Sequence, residues 1–159
     1  MDSRLFRFQL GSLLFQAKTP EDIDLLIKEY GTNPNIHNNG LSLLHSFVNK
    51  DSLDIVRQLL INSADPNIRD QEGETPIFGV KSVEMLELLV SHGALLTIKD
   101  YDENTPAHIL RKVDDEKILE TFERLGCDMN SKNDIGMTPS QIREAQQDCC
   151  GYKKDWYCW

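Results

Sequence analysis

Three stretches of the chain place apolar residues at helical spacing. Leu53, Ile55, Val56, Leu59 and Leu60 form one stripe; Met85, Leu86, Leu88, Leu89 and Val90 a second; Ile118, Leu119, Phe122 and Leu125 a third. Positions three and four apart share a helix face, so each stretch predicts an amphipathic helix with one side to bury.

Around these stripes run two interlocking sets of short motifs. Gly40-Leu-Ser-Leu-Leu-His45, Gly73-Glu-Thr-Pro-Ile-Phe78, Glu103-Asn-Thr-Pro-Ala-His108 and Gly136-Met-Thr-Pro-Ser-Gln141 align on their Ser or Thr, at spacings of 33, 30 and 33 residues. Out of phase with them lie Gly31-Thr-Asn-Pro-Asn35, Ser63-Ala-Asp-Pro-Asn67, Gly93-Ala-Leu-Leu-Thr97 and Gly126-Cys-Asp-Met-Asn130. Thr or Ser before Pro starts a helix, because the hydroxyl can cap free N–H groups and Pro tolerates the first helical position. Thr19-Pro20-Glu21-Asp22 does the same near the N-terminus. Gly31, Gly93 and Gly126 fall where a helix must end on a left-handed residue.

Two motifs at a period near 33 residues resemble the ankyrin repeat, with its Thr-Pro-Leu-His box and its Gly-Ala-Asp-x-Asn close. The resemblance covers residues 8–147 and implies an all-α solenoid of helix-turn-helix units with short β-hairpin loops. The segments Ile68–Gly73 and Ile98–Glu103 would make the laterally projecting turns. Repeats are expected over 8–37, 38–70, 71–100 and 101–133, with a closing half-repeat at 134–147 and a tail at 148–159. The first unit lacks an entry hairpin, as a terminal cap does. A lone unit cannot bury its own apolar faces, whereas stacked neighbours can.

The pattern is broken at four places. The third unit is three residues short around Gly79–Ser82, which predicts a clipped inner helix. The loop after Asn35 is one residue short. Glu103 stands where the family prefers Gly, and a left-handed backbone there costs about 1 kcal/mol. The box His survives only at 45 and 108. In the family that His ties one repeat to the next, so the junctions with Phe78 and Gln141 are expected to rest on packing.

Composition narrows the function. The 159 residues hold 26 acidic and 17 basic side chains, for a net charge of −9. The excess is even, with 11 acids against 7 bases over residues 1–80 and 15 against 10 over 81–159. Such a field excludes nucleic acid and anionic membrane surfaces as partners, since phosphates need a basic footprint. It suits a basic protein. No apolar run reaches the roughly 18 residues of a membrane helix. The mildly apolar N-terminus is interrupted by Arg7, Gly11 and Ser12, so no cleaved signal is expected. Of four cysteines, Cys149, Cys150 and Cys158 crowd the tail, so the body reads as reduced and cytoplasmic. The tail cysteines lack the two-residue gap and the fourth donor of a zinc site. Cys127 replaces a small Ala and reads as core.

No catalytic constellation emerges, and no metal or cofactor is expected. His45 and His108 belong to the repeat; His37 sits in a hairpin loop and His92 in the last turn of an outer helix. The run Asp114-Asp115-Glu116 caps a helix. What the resemblance implies instead is a protein-binding surface made of hairpin tips and the exposed face of inner helices. By register the tips are Gln71, Glu72 and Glu74; Tyr101, Asp102, Glu103 and Asn104; and Asp134 and Met137. The groove positions are Asn49, Lys50, Lys112 and Val113. Asp70 and Asp100 add to a mainly acidic ridge with Tyr101 at its middle. Trp156, Tyr157 and Trp159 either cap the last helix or form a second contact.

These features predict a non-enzymatic module, monomeric when free, that binds and inhibits one protein in the manner of an immunity or antidote protein. The alternatives are a pathogen or viral protein blocking a host factor, and a thiol- or metal-sensing module using the tail cysteines.

Overall fold

The computed structural model describes residues 10–109 and 116–149. Contacts divide the chain into two units, Met1–Leu95 and Leu96–Trp159.

In the first unit residues 10–14 are helical (α1). Helix α2, Pro20–Asp24, opens on a reciprocal cap: Thr19 Oγ1 accepts from the Asp22 N–H at 3.2 Å, and the Asp22 carboxylate accepts from the Thr19 N–H at 3.0 Å. It continues as a wider π turn, Leu25–Glu29, and the chain leaves through left-handed Gly31 at φ 63°. Strands β1 (His37–Asn38) and β2 (Leu41–Ser42) pair antiparallel, His37 facing Ser42 and Asn38 facing Leu41. Their two-residue turn, Asn39-Gly40, has positive φ at both positions, the turn whose twist suits a hairpin.

Ser42 ends β2 and caps α3, Leu43–Asn49. Helix α4, Leu53–Ile61, follows, and α5, Val83–Ser91, starts on the Ser82 hydroxyl. Helix α3 packs on α4, and α4 packs on α2 and α5. The stripes face inward as expected: Ile55, Val56, Leu59, Leu60, Met85, Leu86, Leu88 and Leu89 are buried. The shortened third repeat has no inner α-helix. A single 3-10 turn, Pro76–Gly79, stands there and packs on α3. At Gly79 the chain passes close to the Asn49 side chain, whose amide would have to shift to admit a Cβ.

The second unit holds α6 (Pro106–Ile109), α7 (Glu116–Arg124) and α8 (Pro139–Cys149), with α6 against α8. Leu96, Ala107, Ile118, Leu119, Phe122 and Cys127 form its core. Burial pushes the Cys127 thiol above its ordinary range, so it is held as a thiol.

Neighbouring repeats are joined by asparagines that close the second motif. Asn35 Oδ1 accepts from the Asp65 N–H at 2.8 Å, and Asn67 Oδ1 accepts from the Leu95 N–H at 2.9 Å while its amide donates to the Gly93 carbonyl at 2.9 Å. The box histidines act similarly. His45 Nε2 donates to the Glu74 carbonyl and His108 Nε2 to the Met137 carbonyl, both at 3.1 Å.

Three expectations need correcting. Only the first hairpin forms a strand ladder among the described residues; the later ones are tight turns. The Thr-Pro cap is not general, for Thr75 makes no cap bond and its buried hydroxyl has no partner. Phe78 packs, being buried, but Gln141 does not: it is exposed and its side chain accepts from the Thr138 N–H at 3.0 Å. The helix cap expected from residues 114–116 lies outside the described side chains.

Candidate protein-interaction surface

The turns that carry the candidate residues are each built around one side-chain oxygen, from a buried aspartate in two of them and a half-buried asparagine in the third. In the first unit Asp70 Oδ1 accepts from the Glu72 and Glu74 N–H groups at 3.0 and 2.9 Å. In the second unit Asp100 Oδ1 accepts from the Asp102 and Asn104 N–H groups at 2.9 and 2.8 Å. Asn133 Oδ1 accepts from the Met137 N–H at 2.9 Å in the same way. Asp70 and Asp100 are each only 8 % exposed, so neither belongs to an acidic ridge. Their charges satisfy backbone donors that water would otherwise have to reach.

The remaining tip residues separate into two kinds. In the first unit Gln71 and Glu72 are exposed, while Glu74 is half-buried with its N–H on Asp70 and its carbonyl on His45. In the second, Tyr101 is 70 % exposed, and Asp102 and Asp134 are exposed beside it in sequence and in the next turn. Asn104 is half-buried: its amide donates to Asp100 Oδ2 at 3.0 Å, and its Oδ1 accepts from the Asn133 amide at 2.9 Å. Met137 is half-buried and its carbonyl is taken by His108. Asn104, Met137 and Glu74 thus serve the turns through these bonds. Glu103 lies at φ 59°, so the left-handed backbone is real, and its carboxylate pairs with Lys99 at 3.2 Å.

Asn49 and Lys50 end α3 in exposed positions. Lys50 holds its ammonium 4.8 Å from the Phe47 ring centroid, and the Asn49 carbonyl accepts from Lys81 Nζ. Lys112, Val113, Trp156, Tyr157 and Trp159, with Cys150 and Cys158, lie outside the described residues. Sequence reasoning missed Ile135, which is 53 % exposed in the turn beside Asp134.

The two box histidines are structural. Burial holds His45 and His108 below the ordinary imidazole range. The hydrogen bonds fix the tautomer: Nε2 carries the proton to a carbonyl, and Nδ1 accepts from Ser42 Oγ at 2.7 Å or from the Thr105 hydroxyl at 2.8 Å. His45 is therefore neutral, and its 4.0 Å approach to Asp70 is not an ion pair at neutral pH. Among the described residues no group of three or more His, Cys, Asp or Glu is arranged to hold a metal. None of the described helices is long and apolar enough to cross a membrane.

A family model described as ankyrin repeats, in 3 copies, matches residues 13–100 and again 44–133. The chain is similar to an ankyrin repeat-containing protein of Schizosaccharomyces pombe, 32% identical over 95 residues, which are 58% of this chain and 45% of that protein. It is similar to a putative ankyrin repeat protein of Acanthamoeba polyphaga mimivirus, 27% identical over 133 residues, 82% of this chain and 17% of the relative. A putative ankyrin repeat protein of Rickettsia felis is 25% identical over 143 residues, 82% of this chain and 60% of its own length. The chain thus spans only part of each of these relatives.

Proposed function

The chain belongs to the ankyrin-repeat family, and from that membership we propose that it binds one specific, basic protein through its turn tips and inhibits it by occlusion, as an immunity or antidote protein does. At the coarser level ankyrin repeats make it a protein–protein interaction module, in a family that is generally non-enzymatic. One observation carries the finer reading. Asp70, Asp100 and Asn133 hold the turns by hydrogen bonds to their backbone, which leaves Gln71, Glu72, Tyr101, Asp102 and Asp134 exposed on them. Rigid, displayed side chains bind at low ordering cost, and an exposed aromatic among them is a natural anchor. The even net charge of −9 favours a basic partner, and free monomers in the cytoplasm complete the reading. A second reading, a pathogen or viral protein that blocks a host factor, has in its favour the similarity to mimivirus and Rickettsia felis proteins.

The test is affinity capture of the partner, followed by titration of the purified complex. Tyr101→Ala combined with Glu72→Lys is expected to weaken binding at least about tenfold with no loss of thermal stability. Saturating chain is expected to suppress the partner's activity. Unchanged affinity for the double variant removes the tips as the site; unchanged partner activity removes the inhibitor.

A further inference from the structure

Within the second unit two consecutive turns are tied together. The Asp134 N–H donates to the Asp102 carbonyl at 3.2 Å, and the Asn133 amide donates to Asn104 Oδ1 at 2.9 Å. Lys99 Nζ reaches both the Glu103 carboxylate, at 3.2 Å, and the Lys132 carbonyl, at 3.1 Å. The residues next to the two ends of the Asp134–Asp102 bond are Tyr101 and Ile135, 70 % and 53 % exposed. Both side chains thus leave more than half of their surface to solvent on tight turns, open to a partner. The Asp102 and Asp134 side chains, also exposed, are in no described ion pair. Lys99 is occupied by Glu103, which leaves Lys132 as the other basic residue of the two turns.

We propose that this patch, Tyr101 and Ile135 with the carboxylates of Asp102 and Asp134, is a docking site for an arginine-bearing segment of a protein partner. The proposal rests on the binding reading above and gives it a chemistry. A guanidinium can lie across the face of an exposed tyrosine ring while its N–H fork donates to carboxylates, which an ammonium does less well. An apolar side chain next to the arginine covers Ile135. The hydrogen bonds between the turns hold both halves of the patch in fixed relation, so little ordering is needed on binding.

The test needs no native partner. The full chain is screened against a displayed library of random twelve-residue peptides, and the recovered sequences are remade as labelled peptides for anisotropy titration. Enrichment of peptides carrying Arg beside an apolar residue is expected. Replacing that Arg by citrulline, which keeps the shape and removes the charge, is expected to weaken binding about tenfold. Tyr101→Ala and the pair Asp102→Asn with Asp134→Asn are expected to do the same, whereas Glu84→Gln, at an exposed position of α5, leaves binding unchanged. Thermal unfolding of each variant separates lost contacts from lost fold. Ile135→Ser, whose side chain is half outside already, is a second probe should Tyr101→Ala unfold. No enrichment, enrichment of peptides without Arg, or equal binding of the citrulline form overturns the proposal. These outcomes leave the general reading standing, because that depends on partner affinity.

Discussion

At the scale of single residues the box position decides how a repeat stores its polar groups. Ser42 and Thr105 each give their hydroxyl proton to a histidine Nδ1, three residues on. Phe78 occupies the same place in the third repeat and offers no acceptor, which explains why the fully buried Thr75 hydroxyl is orphaned. An unpaired buried hydroxyl costs about 1–3 kcal/mol, whereas a paired one contributes about 1. Thr75→Val is therefore expected to hold or raise stability in denaturant unfolding, and Thr105→Val to lower it by about 1–2 kcal/mol. The reverse order would refute this account of the box. The same geometry sets a pH dependence. Burial lowers the folded-state pKa of His45 and His108, so the unfolded chain binds their protons first. At His108 a second proton on Nδ1 would also face the Thr105 N–H, 3.0 Å away, which now donates to it. The contribution of both residues is full above the unfolded value of 6.5 and falls as pH drops from there toward the lowered folded values. Thermal transitions across pH 7 to 5 should show this slope, and it should flatten in a His45→Gln, His108→Gln double variant.

Among the elements, the turns are more specified than the 3-10 segment that stands in place of an inner helix in the third repeat. Each turn is closed by a side-chain acceptor, buried at Asp70 and Asp100 and half-buried at Asn133, that takes the N–H four residues later: Asp70 with Glu74, Asp100 with Asn104, Asn133 with Met137. Removing the carboxylate leaves two donors unsatisfied in a nearly buried site. Asp70→Ala and Asp100→Ala are expected to cost about 2–3 kcal/mol each, while Glu72→Lys changes stability little; chemical denaturation of the three variants checks the contrast. The helices were legible in the sequence because stripes such as Met85, Leu86 and Leu89 report burial directly. Asp70 and Asp100 were misread because charge suggests solvent, and nothing local in the sequence shows which backbone donors will converge on a carboxylate. Ile135 escaped notice because it lies in a turn, outside any apolar period. The Glu103 strain was legible, since the matching turns put glycines at 73 and 136 in the same positive-φ place.

For the molecule as a whole, the informative quantity is charge rather than any single residue. A net charge of −9 carried evenly along 159 residues creates a long-range field, whichever turn makes the final contact. Under the proposed reading of a basic partner, composition sets the sign of the attraction and only local shape sets the fit. The two contributions separate by kinetics. Long-range steering acts on the encounter, so association with a basic partner should slow steeply with salt, by about tenfold or more once the screening length falls from roughly 10 Å at 0.1 M toward 3 Å at 1 M. Dissociation reports the short-range contacts and should respond much less to salt. Replacing Glu72, Asp102 and Asp134 by neutral isosteres should lower the association rate and shrink its salt dependence, whereas Tyr101→Ala should act mainly on dissociation. Stopped-flow association and chase dissociation over that salt range distinguish these outcomes. An association rate indifferent to salt would mean that the acidic field serves solubility, and that the partner is recognised by shape alone.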